Sequence, residues 1–214
     1  MAIKILNGAN GPAATSDESD DIIGELTNGY GQVPAWTDLN AIAIRSDDPD
    51  VPEAVAEVVD GVEVAEHGGK RPYYAILPEG ADLTIQVDFI KTEMQLLSRT
   101  FQKLRQCDGE AMTDGEECAC AKSYEHGSAE WRKASKDGLA CTPNGLVFFH
   151  IPGVTIPGKF VFSKSNWTAV PNFMTLEEQA EELERPFETA VGLKLINGKD
   201  HSWNIPTFTA PKEA

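Results

Sequence analysis

The chain has 214 residues, of which 34 are acidic and 18 basic, for a net charge of −16. A chain of that length fits one ordinary domain and can bury a core of its own without disulfides. The acidity excludes a surface that binds phosphate throughout, because affinity for a polyanion comes chiefly from Lys and Arg.

In chain order, "AIKIL" (2–6) predicts a short strand and the small, acidic stretch 7–21 a loop. Residues 1–30 are therefore expected to be a flexible acidic segment, ahead of one domain over 31–214. Alternation predicts a strand over 39–45. "PEAVAEVVDG" (52–61) predicts a helix with Pro52 in its first turn and Gly61 at its end. Residues 73–77 and 83–89 read as two strands joined by the tight turn Pro78-Glu79-Gly80. Ile90, Met94, Leu97, Phe101 and Leu104 fall at helical spacings. The opposite face of that helix would carry Lys91, Arg99, Lys103 and Arg105, the best local candidate for phosphate contact. Residues 145–153 and 159–164 read as paired strands, and 175–185 as a helix opened by Thr175 and Glu178 and stopped by Pro186. Residues 188–196 and 201–209 read as strands around the turn Asn197-Gly198. Strands and helices intermix without strict βα alternation. The expected fold class is α+β, a mainly antiparallel sheet with two or three helices.

All four cysteines, Cys107, Cys118, Cys120 and Cys141, lie in one stretch, separated by ten, one and twenty residues. No basic start leads into an apolar run, and no window nears a membrane-spanning length. The chain is therefore expected in a reducing cytoplasm, where clustered thiols bind metal more often than they form disulfides. The intervening residues are rich in Gly, Asp, Glu, Lys and Ser, and only Met112, Tyr124, Trp131 and Leu139 offer bulk. Such a segment needs a cross-link, so 106–142 is read as an insertion held by a four-cysteine zinc site. Lys122, Arg132, Lys133 and Lys136 could offset the charge of four thiolates. The alternatives are an iron–sulfur cluster on the same ligands, two disulfides, or four unrelated buried thiols; His126 could replace one thiolate. A site saturated by four thiolates leaves no open position for water and is structural. No catalytic motif is found among the remaining residues, and His150, in an apolar strand, reads as a core histidine.

"CDG" (107–109), "CAC" (118–120), "ACTPNGLVFFHIPG" (140–153) and "GKFVFSKSNW" (158–167) together resemble a family of phage and actinobacterial metal-binding proteins and recombination directionality factors. The resemblance covers roughly residues 70–196. It implies that Cys107, Cys118, Cys120 and Cys141 ligate zinc. It also implies a non-enzymatic regulator, acting in the cytoplasm of a bacterial host. Such a factor binds a large serine integrase on its attachment-site DNA and redirects it from integration to excision, with weak or no direct DNA binding and no membrane. A single-stranded DNA- or RNA-binding zinc protein using the basic helix face is the alternative, and a hydrolase a third class.

Overall fold

The computed structural model describes residues 22–28, 41–97, 103–107, 116–125, 127–198 and 202–214. In chain order the strands are β1 (Ile22–Asn28), β2 (Ile42–Ser46), β3 (Glu63–Glu66), β4 (Tyr73–Ile76), β5 (Leu83–Leu97), β6 (Lys103–Cys107), β7 (Thr142–His150), β8 (Lys159–Lys164), β9 (Phe187–Asn197), β10 (Ser202–Phe208) and β11 (Lys212–Glu213). The helices are α1 (Asp50–Val58), α2 (Ala119–Ser123), α3 (Ala129–Lys136) and α4 (Val170–Gln179). The fold is α+β, with an extensive and mostly antiparallel sheet. Two compact units divide it: Ile90–Leu146 with Lys164–Glu177 in one, and Val147–Ser163, Glu178–Ala214 and the described part of Gly11–Phe89 in the other.

The second unit carries strands in the order β10-β9-β5-β7-β8-β1-β2-β4-β3, with β11 added to β9. Its core is aliphatic and aromatic: Leu26, Ile44, Ile85, Phe149, Phe160 and Phe187 are at most 1% exposed. Strand β1 sits between two partners. It runs antiparallel to β2 with Leu26 opposite Ile44, and parallel to β8 with Leu26 opposite Phe162. Within the segment expected to be flexible over 1–30, Ile22–Asn28 instead form a strand of the sheet. The buried Leu26 and the ring of Phe160 packed on Gly24 draw this stretch into the sheet. The strand expected over 2–6 and the loop over 7–21 lie outside the described residues.

Helix α1 forms near its expected place but spans Asp50–Val58, with Val59 extended and Gly61 in the turn that follows. Asp48 Oδ1 accepts from the Asp50 backbone N–H at 3.0 Å, and Val51, Pro52 and Val55 make the buried side. The turn after β4 is closed by Ala81 N–H to the Pro78 carbonyl at 3.0 Å. It does not make a hairpin, because β4 lies between β2 and β3 while β5 lies between β9 and β7. The β9–β10 hairpin forms, but Asn197, expected in its turn, is the last residue of β9, opposite Ser202.

In the first unit, strand stands at the described residues where a helix is expected, 90–97 and 103–104. Residues 90–97 continue β5, and β6 pairs with them antiparallel, with Met94 opposite Cys107 and Gln95 opposite Gln106. A spacing of four residues satisfies both a helical turn and two strand repeats, so Ile90 and Met94 fit either period. The β-branched Thr92, buried between them, completes a two-residue alternation, and Glu93 and Gln95 fill the opposite face. Glu93 is tolerated there because Lys91 Nζ lies 3.5 Å away and the Gln106 and Asn144 amides donate to its carboxylate.

Helix α4 begins five residues earlier than expected and ends at Gln179. Asn166 Oδ1 accepts from the N–H groups of Thr168 and Ala169 at 3.0 and 2.6 Å, and Val170, Phe173, Met174 and Leu176 form the buried stripe. The C-terminal end stops short because its last turn holds no basic residue and acidic residues follow, Glu181, Glu182 and Glu184 among them. Negative charge there opposes the negative end of the helix dipole.

Gly24 offers a direct test of this packing. A Cβ added there would lie 2.8 Å from two Phe160 ring carbons and 3.2 Å from Ile44 Cγ2, whereas one at Gly68 would meet nothing within 4 Å. Gly24→Val is expected to lower unfolding free energy by about 1–3 kcal/mol in urea titrations, and Gly68→Ala to leave it nearly unchanged.

Candidate metal centre

Each cysteine reaches the centre from a different local structure. Cys107 closes β6, where its pairing with Met94 fixes its side of the sheet. Cys118 is the N-cap of α2, in extended geometry (φ −63°, ψ 130°), and Cys120 sits in that helix's first turn. The change from extended to helical backbone lets two sulfurs separated only by Ala119 approach one centre. Cys141 directly precedes β7.

The sulfurs of Cys107, Cys118 and Cys141 lie within 4.8 Å of one another, and Cys120 Sγ is 3.5 Å from Cys141 Sγ. All four side chains are buried, at 0–4% exposure. Tetrahedral sulfurs about 2.3 Å from a shared ion stand about 3.8 Å apart, so this separation suits one thiophilic ion. No disulfide joins the thiols. The Cys141 backbone N–H donates to Cys120 Sγ at 3.2 Å, a bond that stabilises sulfur in its charged, ligating form. The donor set fits a metal ion, and the four cysteines could hold one.

The described residues between Cys120 and Cys141 are more ordered than their composition suggests. Ser128 caps α3 by accepting from Trp131 N–H at 3.1 Å, and the helix is followed by Gly138 at φ +70°. Helix α3 buries Trp131 and Ala134 against Met94, Ala140 and the four cysteines. The Trp131 indole N–H donates to the Cys141 carbonyl at 2.8 Å, and its ring meets Trp167 edge-on at 6.2 Å. Sequence reasoning gave Trp131 only as bulk. A tryptophan four residues after a Gly-Ser helix start was the available signal, but its reach to a ligand's carbonyl was not readable. Of the residues expected to balance the sulfurs, Lys122 instead pairs with Glu117 at 3.5 Å, and Arg132 lies over the Trp167 ring. Lys133 and Lys136 are exposed on α3, and His126 lies outside the described residues.

The basic helix face does not form. Lys91 stands on β5 beside Glu93, Lys103 and Arg105 belong to β6, and Arg99 lies outside the described residues. His150 is not a core histidine: its side chain is 43% exposed and Nε2 is 3.2 Å from Asp88 Oδ2. Burial raises the Asp88 pKa, although His150, Lys159 and Arg185 pull it down. Among the described residues no helix is long and apolar enough to cross a membrane. Comparison with protein-family models, with curated proteins and with solved structures found no match.

Without a cation, Cys118 and Cys141 favour their protonated forms. The Cys141 pKa is raised far above its ordinary value of 9.0 by its hydrogen bond with Cys107 and by burial, and Cys118 is raised chiefly by burial. The folded metal-free chain thus keeps protons that the unfolded chain has lost. Its stability is full below pH 9 and declines as pH rises beyond that. A bound cation reverses the sign, because protons then compete with it for the thiolates. Urea titrations from about pH 6 to about pH 10 should show the chelator-treated chain weakening at the alkaline end, and the metal-loaded chain weakening only in acid.

Proposed function

We propose that this protein is a recombination directionality factor, a regulator that binds a large serine integrase in the cytoplasm of a bacterial host and switches it from integration to excision. Its four cysteines hold a structural zinc ion. The observation that carries the reading is the convergence of Cys107, Cys118, Cys120 and Cys141 in one buried cluster, followed by neighbouring β7 and β8 and then α4. This is the order of cysteines, strand pair and helix on which the family resemblance rests. Zinc is favoured over other ions because a closed four-thiolate donor set suits tetrahedral d¹⁰ coordination without redox chemistry. The role as a regulator rests on binding. Such a factor shifts an integrase between synaptic arrangements by no more than its difference in affinity for them.

Elemental analysis of the purified chain should return one zinc per chain. Cys141→Ser should abolish stoichiometric zinc and lower stability by about 3 kcal/mol or more, read from urea unfolding. Mixed with its serine integrase and attachment-site DNA, the zinc-loaded chain should bind the integrase and convert integration into excision. Absence of a complex at about 10 µM of each protein would overturn the integrase assignment without touching the metal site.

A further inference from the structure

A second constellation lies in the unit that holds no cysteines. Glu25, Arg45, Asp47, Lys70 and Arg71 line a pocket of about 540 Å³. Arg45 donates from Nε and Nη2 to Glu25 Oε2 at 3.2 and 2.8 Å, and Arg71 Nη1 donates to the same oxygen at 3.0 Å. Asp47 Oδ1 accepts from the Arg71 backbone N–H at 2.8 Å, and its Oδ2 lies 3.7 Å from Arg71 Nε. The two carboxylates thus fix both guanidinium groups at one opening. Among the described residues no acceptor meets Arg45 Nη1, Arg71 Nη2 or Lys70 Nζ.

The backbone supplies a second, independent observation. Arg71 has φ 55° and is the one non-glycine residue with positive φ among those described. It follows Gly68 and Gly69 in the β3–β4 turn, where glycine would adopt that backbone without strain. A strained arginine at such a position points to a need for its side chain. A purely structural network would explain Arg45, Arg71 and Glu25, since it ties β1, β2 and the turn together. It leaves Lys70 unexplained.

We propose that this pocket binds a phosphoryl group, free or carried on a small ester. Three cations face two carboxylates there, a local excess of positive charge in a chain of net charge −16. Arginine forks suit oxyanions, and three cationic side chains lining one opening match the three outer oxygens of a phosphoryl group better than the two of a carboxylate. The remote acidic charge opposes binding, but at an ionic strength of about 0.1 M it is screened beyond about 10 Å.

The test titrates the whole chain with inorganic phosphate, glycerol phosphate and acetate at that ionic strength, followed by isothermal calorimetry and amide NMR shifts. Saturable binding of one phosphate or phosphate ester per chain is expected, with the shifted amides around 45–47 and 70–71. The preferred compound of the two shows whether the group is bound free or as an ester. Lys70→Ala should weaken binding about fivefold while leaving the urea midpoint unchanged, because Lys70 holds nothing in place. No saturation by either phosphate compound up to about 10 mM overturns the proposal. So does equal affinity in Lys70→Ala, or acetate binding as tightly as phosphate.

Discussion

Four sulfurs share the interior of one unit, and everything local to them follows from the need to make that arrangement tolerable. Buried thiolates repel one another and lack water, so the cluster persists either fully protonated or around a shared cation. The surrounding chain is compatible with the second state. Strand β6 delivers Cys107, the start of α2 delivers Cys118 and Cys120, and the approach to β7 delivers Cys141. An amide N–H is turned toward Cys120, and an indole holds the Cys141 carbonyl. Both bonds satisfy buried polar groups beside the sulfurs.

This cluster also explains how the polar described residues between Cys118 and Cys141 keep a defined shape. Helices α2 and α3 are five and eight residues long. Helices of such length are not stable alone. They are held at one side by the cysteines and at the other by Trp131, whose ring is fully buried among Met94, Ala140 and the cysteines. Leu139, by contrast, is 71% exposed on the same segment. The ordering reaches outward, so a surface far richer in Glu, Lys and Gly than in apolar residues can still present a fixed contour. On the proposed reading, that contour is available to a protein partner.

The sequence made the cysteine cluster legible because thiols are rare here and their clustering is itself a signal. Strands with clear alternation, such as β2 and β9, and the Pro52-led α1 were legible for the same reason: one local pattern admits one structure. The misreadings came where a pattern admits two. Ile90 and Met94 fit a helix and a strand alike, and the pairing of Met94 with Cys107 decides between them. Thr175 and Glu178 have the spacing of a capping box, yet Asn166 offers an oxygen earlier and takes the helix start. Strand β1 was hidden because its partners β2 and β8 lie far along the chain. The charged pocket was hidden for a related reason: Glu25, Arg45, Asp47 and Arg71 meet only once strands and a turn from three stretches are assembled.

The placement of β1 bears on how the protein is made. Its antiparallel neighbour β2 follows closely, but its parallel neighbour β8 is translated only after most of the chain has left the ribosome. A nascent β1–β2 ribbon must therefore wait with one edge unpaired, showing Leu26 and Ile44 to any other chain nearby. Distant pairing of this kind is slow to form and vulnerable to aggregation meanwhile. Efficient production in the cell thus depends on holding that ribbon apart from its copies until β8 emerges.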